Sequence, residues 1–207
     1  MKSAYLILIA LTLTMTCIVS QDVKQKILYK TETAVSYYSK DVMQGDKYMQ
    51  EMCVFDFYYP DNIKDFPTII WFHGGGLTEG ERYIPDYLKD RGVAILGVGY
   101  RLSPNVKAVE CIKDAAAATA WAFKNIKKYG GNNESIFVSG MSAGGYLTYM
   151  VGLDKSYLAN YGINANQIAG LIPFSGHAIT HFTVRQEMGI PGEQPIIDNM
   201  APLYHVR

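Results

Sequence analysis

Four short apolar runs constrain the fold of this chain more than any other feature. They are Thr68 to Phe72 within FPTIIWFHGGG, the stretch GVAILGVGYRL from Gly92, SIFVSG at 135–140 and IAGLIPFSG at 168–176. Each is short and flanked by glycine or proline, the pattern of a strand covered on both faces. Helical patterns lie between them. From Lys107 to Tyr129, Val109, Ile112, Ala116, Phe123 and Ile126 recur at three- and four-residue steps, and Gly130-Gly131 closes the run. MSAGGYLTYMVGL follows the third strand directly and reads as a small-residue turn entering a helix. Strands alternating with helices give parallel βαβ units. The expected class is α/β, with a mostly parallel sheet and helices on both faces.

The flanks are less regular. ILYKTETAVSYYS at 27–39 and YMQEMCVFDFYYP at 48–60 are rich in Tyr, Val and Phe, which predicts two early strands joined by a turn near Gly45. A polar segment with helix formers spans residues 80–91. The tail from His177 to Arg207 contains Pro191, Pro195 and Pro202 and reads as irregular.

Composition decides which partners to set aside. The 207 residues carry no net charge, 49% are hydrophobic and 18% charged, the balance of a globular domain. Zero net charge gives no reason to expect nucleic acid or an anionic membrane surface as partner. The first twenty residues differ: MKS carries one positive charge, and AYLILIALTLTMTCIVS then runs uncharged to Asp22. This is the pattern of a secretory signal peptide over 1–20, cut before Gln21, and it predicts a secreted or periplasmic protein without stable membrane insertion after cleavage. A lipid anchor on Cys17 fits less well, because Thr16 precedes it. Of the remaining cysteines, Cys53 sits in an apolar strand pattern and Cys111 in a helix. They read as two buried free thiols, although export would permit a disulfide. No cysteine–histidine cluster has zinc spacing, and no cofactor is expected.

Two motifs carry chemistry. Gly140-Met141-Ser142-Ala143-Gly144 fits G-x-S-x-G between a buried strand and a helix. There the glycines permit a sharp turn, and the helix N-terminus presents free N–H groups to a developing negative charge. The bland alternative is a packing turn whose serine caps the helix. His73-Gly74-Gly75-Gly76 follows another strand. Consecutive glycines cost backbone entropy but let N–H groups reach an oxyanion unobstructed. A phosphate loop is excluded by the lack of a following Lys-Ser/Thr or a G-x-G-x-x-G frame. His73 reads as a structural, hydrogen-bonded residue.

With HGGG after one strand, GYRLSP at 99–104 after the next and GMSAGG after the third, residues 48–207 resemble the α/β-hydrolase fold. Within it they resemble the HGGG-type, hormone-sensitive-lipase-like carboxylesterases, including secreted esterases of acetyl and feruloyl groups on carbohydrate. The resemblance implies Ser142 as nucleophile, the N–H groups of Gly75, Gly76 and Ala143 as oxyanion hole, and structural roles for Tyr100 and Arg101. Met141 departs from the His or Asp commonly found before such a serine. The implied substrate is a small-molecule or carbohydrate ester.

In this fold the acid and the histidine follow the serine in that order. The family places them after a seventh and an eighth strand, and IAGLIPFSG counts as the sixth. The groups after Ser142 are Asp154, Glu187, Glu193 and Asp198, with His177, His181 and His205. Asp198 and His205 have the right order but are too close in sequence to hold the intervening elements. The expectation is therefore a hydrolase domain over 21–207 lacking its last two strands, acid and base, with 177–200 as a lid and an exposed apolar sheet edge prone to aggregation. Two rivals remain: a serine peptidase of the prolyl-oligopeptidase kind, and a binding-only relative.

Overall fold

The computed structural model describes residues 26–191 and 193–206; the leader expected over 1–20, with Cys17, lies outside them. The strands are β1 (Tyr29–Ser36), β2 (Val54–Pro60), β3 (Phe66–Phe72), β4 (Ala94–Val98), β5 (Gly131–Met141) and β6 (Gly170–Phe174). The helices are α1 (Lys47–Met52), α2 (Ala108–Tyr129), α3 (Ala143–Leu153), α4 (Lys155–Ala159) and α5 (Phe182–Glu187). The six strands form one sheet in the order β1-β2-β4-β3-β5-β6. β1 and β2 join antiparallel, β2 meets β4 antiparallel, and β4, β3, β5 and β6 run parallel.

Strand alternation sorts the side chains. Ile70, Phe72, Leu96, Val98 and Val138 belong to the buried core with Ile112, Ile126, Leu147, Met150 and Val151 of α2 and α3. Each such side chain contributes about 1.5–3 kcal/mol on burial. The inner face of α2 is largely alanine, from Ala115 to Ala118 with Ala120 and Ala122, so its backbone lies close to the sheet. The helix ends where Gly130 takes the left-handed conformation at φ 98°. Cys53 and Cys111 are buried free thiols, as expected. β6 forms an edge of the sheet, and Ile172 and Phe174 are exposed on it.

Three elements differ from the sequence reading. Residues 47–52 are helical, because Asp46 accepts the Met49 N–H and starts a turn before the strand begins at Val54. Residues 80–91 hold only a short 3₁₀ turn, Asp86–Leu88; Pro85 biases Ile84 away from helical geometry. The described residues of the tail are not irregular throughout. The tail contains α5 and the 3₁₀ turn Pro202–His205, and it is tied down by Thr180 N–H to Ile196 O (3.0 Å), Leu203 N–H to Ala178 O (2.9 Å) and Tyr146 O–H to Met200 O (2.8 Å).

Candidate active site

The ends of β3, β5 and β6 converge on the turn from β5 into α3. Ser142 sits at its apex with φ 55° and ψ −113°, a conformation that costs a non-glycine residue of order 1–3 kcal/mol. Its N–H donates to Phe174 O (2.7 Å), and its carbonyl accepts from Tyr146 N–H (3.0 Å). The neighbouring glycines are needed for contact as much as for turning. A Cβ on Gly140 would lie 2.6 Å from the carbonyl carbon of Gly144, and one on Gly144 would lie 2.1 Å from Phe72 O. Only hydrogen fits at either place. Ala143 is the first residue of α3, so its N–H is among the unpaired donors of a helix start.

The HGGG loop lies alongside. A Cβ on Gly74 would be 3.1 Å from Met141 O and 3.5 Å from Ser142 Cβ. The two following peptides are oriented by their carbonyls. Gly74 O accepts from His73 Nδ1 (2.7 Å). Gly75 O accepts from Thr78 N–H and Glu79 N–H, both at 3.0 Å. A trans peptide points its N–H opposite its C=O, so fixing these carbonyls aims the Gly75 and Gly76 N–H groups away from the loop interior. Neither N–H donates to protein among the described residues. Gly75 and Gly76 have φ 108° and 64°, the left-handed region that favours glycine.

His73 holds this arrangement as a structural residue. Its ring stacks on Tyr100 at 4.3 Å, Tyr100 O–H donates to His73 O (2.8 Å), and burial lowers its pKa. The bond to Gly74 O puts the proton on Nδ1 of the neutral ring. Arg101 is structural too. Its Nε and Nη2 donate to the two oxygens of Asp114 at 2.8 and 2.7 Å. Sequence reading missed Asp114, a fully buried acid on the inner face of α2 that also accepts from Tyr38 O–H (2.9 Å) and Arg101 N–H (3.0 Å).

Of the acids and histidines after Ser142, Asp154, Glu187, Asp198 and His205 have polar partners of their own. Asp198 accepts from Thr180 Oγ1 (2.7 Å) and Met200 N–H (2.8 Å). His205 Nε2 contacts Asn199 O (2.9 Å) and lies 3.7 Å from Asp154. Asp198 and His205 thus go to separate partners. The acid–histidine pair that does meet, Asp154 and His205, stands beyond the far end of α3, about 18 Å along the helix from Ser142. Glu187 accepts from Ser103 Oγ and Ala108 N–H, both at 2.9 Å, and so caps α2, whose own N-cap Lys107 makes no such bond. His181 Nδ1 accepts the Thr183 N–H (3.2 Å), which leaves the proton on Nε2. Burial, then His177 and Arg185, depress its pKa to about 3. With Nδ1 already accepting from Thr183 and the proton on Nε2, this ring has no free lone pair to act as a base. His177 packs edge-on against His181 at 4.9 Å, and burial lowers its pKa as well.

A family model, BD-FAE, matches residues 55–179, the span that contains both motifs. The chain belongs to the BD-FAE family. Its curated relatives include esterase LipC of Mycobacterium tuberculosis, 37% identical over 104 residues, 46% of this chain and 26% of that protein. Venom carboxylesterase-6 of Apis mellifera is 34% identical over 90 residues, 38% of this chain and 16% of that one. This BD-FAE chain therefore spans about a quarter or less of these relatives' length. Thermogutta terrifontis esterase 2 phosphorylated by paraoxon superposes with a TM-score of 0.63 at 22% identity, covering 88% of this chain and 66% of that one. Esterase B from Lactobacillus rhamnosis gives 0.59 at 24%, covering 75% and 50%. These likenesses establish the α/β-hydrolase fold.

Proposed function

We propose that the chain is a serine carboxylic ester hydrolase for small acyl esters. The observation that carries this reading is the strained Ser142 turn beside two outward-aimed glycine N–H groups. Ser142 Oγ attacks the ester carbonyl carbon as a general base, which no hydrogen bond among the described residues assigns, removes its proton. The carbonyl oxygen becomes an oxyanion held by the N–H groups of Gly75, Gly76 and Ala143. The C–O bond to the alcohol breaks, the alcohol leaves with a proton, and water then hydrolyses the acyl-enzyme. Preorganised donors of this kind are worth about 10²–10³ in kcat each. The named esterase relatives support the reaction class. Neither a metal nor an organic cofactor enters this chemistry.

Acyl groups carried on carbohydrate fall within the proposed substrates. Met141 and Phe174 flank the turn and are 48% and 45% exposed, which leaves room for a bulky alcohol. Export also belongs to the proposal, on the apolar leader; no helix among the described residues is long and apolar enough to cross a membrane. One observation favours a second reading, a binding-only relative: His181 and His205 are held by other partners. The deciding experiment incubates the protein with paraoxon, maps the phosphorylated peptide by mass spectrometry, and compares turnover of p-nitrophenyl acetate with that of a prolyl anilide. Label on Ser142, with acetate turnover abolished in Ser142→Ala, is the expected result. Esterase chemistry is refuted by turnover that survives Ser142→Ala. Ligand binding with neither label nor turnover supports the binding-only protein, and preference for the anilide supports a peptidase.

A further inference from the structure

The segment after β6 returns to the candidate oxyanion loop and rests an aromatic ring on it. A Cβ on Gly76 would lie 2.9 Å from Phe182 Cζ, so the edge of this ring sits over the Gly76 α-carbon. The ring is held in place from several sides. The next residue, Thr183, donates its hydroxyl to Gly76 O. Phe182 packs on His181 at 4.3 Å and meets His177 edge-on at 5.6 Å. At the other end of α5, Glu187 is bonded to Ser103 and to the start of α2. Six residues of helix fastened at both ends leave little freedom to swing the ring aside. Yet 38% of Phe182 remains exposed, so part of the ring faces outward.

We propose that Phe182 is the specificity-determining wall of the site and restricts its substrates to short acyl groups of the acetyl and propionyl class. The inference rests on the ester-hydrolase reading, because it takes the ester carbonyl to lie at the Gly75 and Gly76 N–H groups. A carbonyl oxygen bound there brings its acyl carbon beside Gly76, and an unbranched chain growing from that carbon runs into the ring. Apolar walls discriminate by size: one methylene too many or too few in such a pocket changes kcat/KM by about 10–200-fold. Thr183 acts with Phe182 as a positioning residue, since its bond fixes both the loop carbonyl and the start of α5.

The test measures kcat/KM for p-nitrophenyl acetate, butyrate, hexanoate and octanoate with wild type, Phe182→Ala, Phe182→Leu, Phe182→Trp and Ser142→Ala. A second series holds the acyl group at acetate and varies the alcohol. Phe182→Ala should raise the hexanoate-to-acetate ratio at least about tenfold, Phe182→Leu should raise it less, and Phe182→Trp should lower it. Thermal melts identify any variant that fails to fold, and the leucine and tryptophan variants then carry the comparison. Ser142-dependent turnover whose acyl ratio stays within twofold in every folded variant overturns the inference and leaves the esterase reading intact. So does a shift confined to the alcohol series. Turnover that persists in Ser142→Ala, or its absence from wild type, removes the esterase reading and this inference with it.

Discussion

Replacing Gly75 by alanine tests the proposed oxyanion loop directly. A Cβ there would lie 2.1 Å from Glu79 O and 2.7 Å from the Glu79 carbonyl carbon, and both are backbone atoms that cannot rotate away. Relief needs a shift of about 1.4 Å at the Glu79 oxygen, judged against an ordinary contact of about 3.5 Å, shared between the two segments. That shift separates Gly75 O from the N–H groups of Thr78 and Glu79 and turns the peptide that carries the Gly76 N–H. The left-handed φ of 108° adds a conformational penalty of about 1–2 kcal/mol. Gly45→Ala is the matched control. Its φ is 83°, nothing lies within 4 Å of the added Cβ, and it stands in the turn before α1. Gly45→Ala should lower stability by about 1–2 kcal/mol in urea unfolding and leave the rate of Ser142 phosphorylation by paraoxon unchanged. Gly75→Ala should lose at least as much stability, and its phosphorylation rate should fall about 10²-fold or more while the protein remains folded. Equal labelling rates in folded Gly75→Ala and Gly45→Ala would falsify the assignment of this loop to the oxyanion.

Two further outcomes follow from buried groups. Asp114→Asn leaves the Arg101 guanidinium only the more distant Glu110 carboxylate at 3.5 Å and should cost about 3–5 kcal/mol in urea unfolding, whereas Arg101→Met with Asp114→Leu should recover part of that loss; a double variant as unstable as the single one refutes the pair's role. His181 has a folded pKa near 3, below its ordinary value of 6.5, so its contribution is complete above pH 6.5 and is lost as pH falls from there toward 3. His181→Asn keeps an acceptor for the Thr183 N–H without the titration, and wild type should lose about 2 kcal/mol more than this variant between pH 7 and pH 5; parallel losses sink the argument.

The strands and the site were legible to different degrees, for physical reasons. β3, β4, β5 and β6 declare themselves because a strand buried between layers must be apolar along its length, and α2 because its period and Gly130 agree. Residues 47–52 were obscured because Tyr48, Met49 and Met52 suit a strand as well as a helix. Asp46, placed to cap, was the signal that could have decided it. Pro85 could likewise have argued against a helix at 80–91. α5 offered no comparable signal. It has six residues, and what fixes it is tertiary: Gly76 O, Ser103 Oγ and the Ala108 N–H, all distant in sequence. Asp114 was invisible for a related reason, since a buried acid in an alanine-rich helix makes sense only once Arg101 and Tyr38 are beside it. The turns at Ser142, Gly75 and Gly76 were legible because glycine spacing records backbone requirements in the sequence itself, whereas the partners of His181, Asp198 and His205 depend on how the tail folds back.

The strain at Ser142 explains why so many glycines surround it. A residue held at φ 55° and ψ −113° relaxes unless its neighbours forbid it. Here the restraint comes from three close backbone approaches: Gly144 against Phe72 O, Gly74 against Met141 O, and Gly145 against Gly176. They join the ends of β3, β5 and β6 to the first turn of α3, and the Ser142 N–H to Phe174 O bond closes the set. Any Cβ at Gly144 or Gly145 would push a strand end away and release the turn. The same close packing that stores the strain also places Gly74, at the start of the glycine loop, against Ser142. Under the proposed function, nucleophile presentation and oxyanion geometry would depend on one set of contacts, and a change that relaxes Ser142 would also move the Gly74 backbone packed against it.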